Sequence, residues 1–198
     1  MRKVSIVSFL MLVSALAAYS QTQEFQIDPV HSSAQFKVRH MLVSTVVGRF
    51  SEVGGAIIYD EKNPANSKVE ASIKTASVNT DNGMRDGDLK TNYFEVEKYP
   101  EMNFKSTKVE KRGDQWVATG PLNIKDVTKT VEIPFEITVA QTPRGPALGA
   151  SATFKINRND FHVAKSGIAD NGATVGNDIT IELNVEAHPP KTAAPAAK

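Results

Sequence analysis

Apolar and polar residues alternate with period two through most of the chain. Ala34, Phe36, Val38 and His40 interleave with Gln35, Lys37 and Arg39. Val69, Ala71 and Ile73 interleave with Lys68, Glu70, Ser72 and Lys74. Val131, Ile133, Phe135, Ile137 and Val139 fall on one parity, as do Leu148, Ala150, Ala152, Phe154 and Ile156, and later Ile179, Ile181, Leu183 and Val185. Each run predicts an antiparallel strand with one apolar face and one wet face. A further strand-like piece runs from Met102 to Val109.

Two segments are less regular. Between Gly48 and Asp60, Phe50 falls on one face and Val53 and Ile57 on the other, which with Gly54-Gly55 predicts a bulge or sharp bend. Between Gln115 and Ile124, Trp116, Leu122 and Ile124 share one parity and Val117 takes the other, so the inner face is not assigned. Turns are expected at Arg112-Gly113-Asp114, at Lys125 to Lys129 and at Pro143-Arg144-Gly145-Pro146.

The pattern predicts about eight antiparallel strands with mostly short connections. Such a set closes into a barrel, which removes exposed edges and leaves room for one small ligand. A β-sandwich is the structural alternative. Two connections are too long for tight turns, Val78 to Pro100 and Arg158 to Asn177, and both are expected at a barrel mouth. The first carries a charged loop, Arg85-Asp86-Gly87-Asp88, then Leu89, Tyr93, Phe94 and Val96. It reads as a lid with a short helical segment within 82–97.

The ends of the chain change the picture. Arg2 and Lys3 precede an apolar run from Val4 to Ala18 with small residues after it. This predicts a cleaved secretory signal over residues 1–20, too short to span a bilayer at about 20 apolar residues. No stable membrane insertion of the mature chain is expected. Residues 188–198, HPPKTAAPAAK, carry no large apolar side chain and are expected to be disordered. One domain remains, over 21–187. The chain has no Cys, so an exported form has neither disulfides nor a lipidated Cys. Net charge is +1 with the signs interspersed, and no basic patch points to nucleic acid.

Candidate chemistry is sparse. No two of the four His residues have metal-ligand spacing. Asp81, Asn82, Asp86 and Asp88 do not match a calcium loop and read as a solvated loop, with Arg85 paired to its acids. No Gly-x-Ser-x-Gly elbow and no phosphate-cradling loop is present, so no catalytic residue, metal site or cofactor is expected. His40 lies on the apolar parity of its strand. It is either a hydrogen-bonded core His or a polar group lining a cavity.

Several ordered motifs together resemble the YceI-like family across essentially the whole mature domain. They begin with Ile27-Asp28-Pro29-Val30-His31-Ser32, Phe36-Lys37-Val38-Arg39-His40 and Ser44-x-Val46-x-Gly48-x-Phe50, followed by Gly55 and Asp60. Arg85-Asp86, Leu89, Phe94 to Pro100 and Phe104 to Thr107 form the central part. Gly120 to Ile124, Val127-Thr128-Lys129 and Ile156-Asn157-Arg158-x-x-Phe161 complete it. The resemblance implies an eight-stranded lipocalin-like barrel in the periplasm, commonly a homodimer. It implies an apolar cavity for an isoprenoid or fatty-acid-like amphiphile, with stress response and quinone handling as proposed roles. Two positions depart from the family: Asp88 stands where it usually has His, and Asp126 where it usually has Gly. A head-group role for that His therefore does not carry over.

Alternation by itself does not distinguish a hollow barrel from a filled one. Read as hollow, the expected lining is Phe36, Val38, Phe50, Ile57, Ile73, Phe104 and Phe154, with Leu89 and Phe94 from the lid. His40 and Arg85 are the candidates for the polar end. Read as filled, the chain is a non-catalytic interaction or scaffold protein.

Overall fold

The computed structural model describes residues 22–165 and 172–190. The expected signal segment, the end of the expected tail and residues 166–171 of the late connection lie outside the described residues. Twelve strand segments form one antiparallel sheet. They are β1 (Gln23–Ile27), β2 (Ser33–His40), β3 (Ser44–Phe50), β4 (Val53–Tyr59), β5 (Lys68–Lys74) and β6 (Val78–Asn79). β7 (Glu101–Lys105), β8 (Lys108–Arg112), β9 (Gln115–Ile124), β10 (Val127–Thr142), β11 (Gly145–Asn157) and β12 (Val175–His188) follow.

The register reduces these segments to an eight-stranded closed barrel. β1 and β2 both lie along β12, through Ile27 opposite Ala187 and Phe36 opposite Ile181, and so form one broken strand. β3 with β4, β5 with β6, and β7 with β8 are broken in the same way. Each neighbour in the ring is the next strand in sequence, and the contact of β1 and β2 with β12 closes it. The barrel expectation holds and the sandwich alternative does not.

The breaks have local causes. The phase change between Phe50 and Val53 comes from Ser51 and Glu52, which lie between β3 and β4, and both apolar residues end in the same buried cluster. The bend expected at Gly54-Gly55 is therefore three residues earlier, at Ser51-Glu52. The pairing of β4 with β5 runs unbroken from Val53 to Ile58. Gly55 answers a different need. Its φ is +137°, and a Cβ there would sit 2.1 Å from the Glu70 carbonyl oxygen, a space only glycine leaves free. The piece expected from Met102 to Val109 is likewise interrupted at Ser106 and Thr107. Ser106 Oγ there accepts from the Val69 N–H at 2.8 Å.

The tight turns fall where expected, at Gly113-Asp114, Lys125-Asp126 and Pro143-Arg144. β12 runs through His188, which faces Gln26, so the first residue assigned to the tail belongs to the sheet. Among the described residues no helix is long and apolar enough to cross a membrane.

Candidate functional site

The barrel is hollow. A cavity of about 490 Å³ is lined from His40 and Val175 at one end to Tyr59 and Ser67 at the other. β2 ends at His40, and the chain then returns through β3 and β4 to Tyr59, so these residues mark opposite ends of the barrel. The volume is in the range of small-ligand pockets, roughly 300–1,000 Å³.

The wall is built by the alternation. Odd residues of β10 (Ile133, Phe135, Ile137) and even residues of β11 (Ala150, Ala152, Phe154) point into the same space. On β9 the inner parity is that of Trp116, Ala118, Leu122 and Ile124; Val117 is buried but not on the wall. Phe36 packs against Phe50 at 5.8 Å between ring centroids, and Phe50 meets Phe94 edge-on at 5.5 Å. This chain of rings joins the wall to the lid. A Cβ at Gly48 would lie 2.2 Å from the end of the Phe36 ring, so the missing side chain on β3 is what lets that ring lie flat across the strand.

The lid is the connection between β6 and β7. Helix α1 (Gly83–Asp88) starts at Asn82, whose Oδ1 accepts from the Arg85 N–H at 3.0 Å. It continues as one π turn, Leu89–Tyr93, in which the Phe94 N–H donates to the Leu89 carbonyl at 2.8 Å. The wider turn carries Leu89, Tyr93 and Phe94 onto the cavity. A short helical lid is what the sequence predicts for 82–97.

All eleven residues named from the sequence lie on the cavity wall: Phe36, Val38, His40, Phe50, Ile57, Ile73, Arg85, Leu89, Phe94, Phe104 and Phe154. Two environments differ from expectation. His40 is exposed at the mouth, which excludes the core reading. Arg85 does not pair with the neighbouring acids. Its Nε donates to Thr80 Oγ1 at 2.7 Å and its Nη2 to the Thr80 carbonyl at 2.8 Å. Asp86 joins through the same residue, accepting from the Thr80 N–H at 2.8 Å and the Thr80 hydroxyl at 2.6 Å.

The remaining oxygen groups of that loop diverge, as a solvated loop would have them. Asn82 caps the helix and Asp81 lies 3.9 Å from Arg49. Asp88 accepts from Lys165 Nζ at 2.9 Å and from Asn92, contacts that hold its carboxyl below the usual range. The Asp88–Lys165 pair ties the lid to the late connection, and both long connections contribute to the mouth. The departure at Asp126 also has a partner: it accepts from His162 Nδ1 at 3.1 Å, which lowers its pKa.

Sequence reasoning missed Arg158. It is 3% exposed and borders the cavity, yet its guanidinium is used internally. It donates to the carbonyls of Val163, Gly176 and Val175 and to Asn177 Oδ1 at 3.0–3.1 Å, holding the late connection in place. Its type and spacing carry no signal of that role. Trp116, Ile133, Phe135, Ile181 and Leu183 were also not named, although their alternation was visible.

Away from the cavity, on the outer surface, Asp28, His31 and Glu186 bring their ligand atoms within 4.8 Å of one another, with His188 beside them. The sequence spacing gives no hint of this, because the pairing of β1 with β12 creates it. The four groups satisfy each other by hydrogen bonds, His31 to Asp28 and His188 to Glu186, each at 2.9 Å.

A family model described as the YceI-like domain matches residues 25–187. The UPF0312 protein plu2095 of Photorhabdus laumondii is 36% identical over 155 residues, covering 77% of this chain and 81% of that protein. Among solved structures, the YceI protein of Campylobacter jejuni superposes with a TM-score of 0.67 at 34% identity, covering 78% of this chain and 90% of that one. A domain from Saccharophagus degradans, described as polyisoprenoid-binding, shares the fold, with a TM-score of 0.66 over 86% of this chain and all of that one at 14% identity.

Proposed function

This chain belongs to the YceI-like family, and from that premise we propose that it is an exported binding protein that holds a long-chain amphiphile, isoprenoid or fatty-acid-like, inside its barrel. The observation that carries the reading is the continuous apolar cavity from Tyr59 to the lid. A filled scaffold barrel would not leave this space, because protein interiors close-pack. The polyisoprenoid-binding description of a neighbour with the same fold favours an isoprenoid.

Burial of a chain is favourable by about 0.8 kcal/mol per methylene, before the costs of ordering it. The polar groups at the mouth, His40 and Arg85, receive the head group. The mostly apolar lining among the described residues supports a reading of binding. Export to the periplasm is supported by Arg2, Lys3 and the apolar run after them. Carriage or storage of the amphiphile, a part in a stress response, and homodimerisation belong to the same proposal. Light scattering of the purified protein tests the last of these.

The decisive experiment is organic-solvent extraction of the protein purified from its host, followed by mass spectrometry. One long-chain species at near-stoichiometric amount is expected. An empty extract, with no uptake of isoprenoid quinones or fatty acids on titration, would sink the proposal.

A further inference from the structure

The large apolar side chains exposed among the described residues are not scattered. Met41, Leu42 and Val43 form the tip of the β2–β3 hairpin at 56%, 67% and 82% exposure. Val47 follows on β3, and Met84 on the lid is 89% exposed. Only Val30 and Val139 lie elsewhere. The hairpin is at the mouth: His40 and Val46, on either side of the tip, line the cavity, and the Met41 N–H donates to the carbonyl of Thr174, another lining residue, at 2.9 Å.

The tip is built rather than loose. Met41 and Leu42 take φ of +52° and +61°, a region that bulky side chains seldom occupy. Arg39 holds them there, its Nη2 donating to the Leu42 carbonyl at 2.7 Å and its Nη1 to Thr45 Oγ1 at 3.1 Å. Glycine or Asn is the usual choice for such a turn. Two of the three outward apolar side chains, Met41 and Leu42, are instead held in that region.

The hairpin's own charged residues have one sign. Residues 33–51 contain Lys37, Arg39, His40 and Arg49 and no Asp or Glu. Acids reach this hairpin from neighbouring elements: Glu182 of β12 pairs with Lys37, and Asp81 lies 3.9 Å from Arg49. Arg39 is held by a hydroxyl and a carbonyl. A self-complementary contact between two copies through this tip would set like charges against each other. An apolar wedge with Arg39 and His40 at its base and Arg49 further back on the same hairpin fits an anionic lipid surface.

We propose that the Met41-Leu42-Val43 tip docks the mouth of the barrel onto an anionic phospholipid bilayer, so that an amphiphile passes between bilayer and cavity without crossing water. This rests on the amphiphile-binding reading above. The tip enters the head-group region, Arg39 and Arg49 meet phosphates, and Met84 brings the lid to the same surface.

The test is sedimentation of the purified mature protein with vesicles of phosphatidylglycerol and phosphatidylcholine, against vesicles of phosphatidylcholine alone. Wild type is expected to partition onto the anionic vesicles, less so as salt is raised. Leu42→Asp with Val43→Asp should lower the partition coefficient at least tenfold, and Arg39→Gln with Arg49→Gln should weaken it and flatten the salt dependence. Extracted lipid content should stay at the wild-type value in every variant, and so should the melting temperature of Leu42→Asp with Val43→Asp, whereas loss of the Arg39 bonds to Leu42 and Thr45 lowers that of the arginine variant. Equal binding to neutral vesicles, or binding indifferent to the tip substitutions, overturns the proposal. So does a concentration-dependent dimer that the same substitutions abolish, which would make the tip a contact between copies. An extract that holds a chain while vesicle binding is absent removes the docking surface and leaves the binding reading intact. An empty wild-type extract removes the binding reading instead.

Discussion

Lys125 and Glu95 meet across the mouth of the barrel, the ammonium 2.5 Å from the carboxylate. Lys125 comes from the β9–β10 turn and Glu95 from the end of the lid. The same ammonium donates to the His162 carbonyl at 2.9 Å, in the late connection. The Lys125 side chain is only 5% exposed, so its charge depends on these partners. All three residues have positive φ, at +53°, +50° and +54°. Three non-glycine residues in left-handed backbone are thus fastened to one another where three connections converge.

Replacing Lys125 with Met keeps most of the apolar stem and removes the fastening. A loss of about 1–3 kcal/mol in stability to urea is expected. The lid should also exchange its amide protons faster. The Lys125 ammonium, through its hydrogen bond and charge, lowers the pKa of Glu95. A lowered carboxylate contributes stability above its unfolded value and loses it as pH falls through the folded one. Wild type should therefore weaken more than Lys125→Met on acidification below about pH 4.5, the ordinary value for Glu. Parallel pH curves for the two proteins would remove Glu95 from this role.

Asp88 ties the lid to Lys165 at 2.9 Å. Asp88→Asn should leave the barrel intact and loosen the lid. The expected outcome is faster hydrogen exchange confined to residues 83–94, with global stability changed by less than about 1 kcal/mol, as for other exposed ion pairs. Unchanged exchange would mean that apolar contacts of Leu89 and Phe94 hold the lid by themselves.

A hollow wall tolerates filling. Ala150 faces the cavity from β11, and Ala150→Leu adds three carbons where ligand would lie. Affinity for a long-chain ligand is expected to fall by about 2 kcal/mol, roughly thirtyfold, from displaced methylenes. Stability of the empty protein should hold within about 1.5 kcal/mol, read from chemical unfolding. A large destabilisation with no change in affinity would place the ligand elsewhere.

The His31–Asp28 pair sets a pH window. The hydrogen bond and charge of Asp28 raise the His31 pKa, and the charge of Glu186 adds to this. Asp28 is lowered by the same bond. The raised His contributes stability below its unfolded value, ordinarily 6.5, and loses it as pH rises through the folded value. The lowered Asp contributes above its unfolded 3.8 and loses its share as pH falls. The pair therefore helps most between about pH 4 and 6.5, from these ordinary values. NMR titration of His31 should give a midpoint above the ordinary one, and Asp28→Asn should bring it down.

Gly55 has a stricter requirement than any cavity residue. Gly55→Ala forces a Cβ against the Glu70 carbonyl and a φ that L-residues avoid. A cost of about 1–3 kcal/mol or more is expected in thermal or urea unfolding, with ligand capacity per folded molecule retained.

The sequence by itself determined most of the strands and their inner faces, though not the inner face of β9 or the break at Ser106 and Thr107. Period two is a local property, because successive side chains in extended backbone point to opposite sides. Ile133, Phe135 and Ile137 on one strand and Ala150, Ala152 and Phe154 on the next therefore declare their face without reference to any partner. The lid was legible as aromatics in a polar loop, and the tight turns as Gly, Pro and Asp in short gaps. Only the tertiary structure decided what lies more than a strand apart. It put Lys165 beside Asp88, Glu186 beside His31 and His162 beside Lys125, pairs separated by 77, 155 and 37 positions that no spacing rule connects. It decided that Arg85 turns to Thr80, that Arg158 is consumed by backbone carbonyls, and that Met41, Leu42 and Val43 stand in the open. It also decided that the apolar face is hollow. Alternation says which side chains share a face; whether they meet across the middle depends on closure and strand number, and those belong to the barrel as a whole.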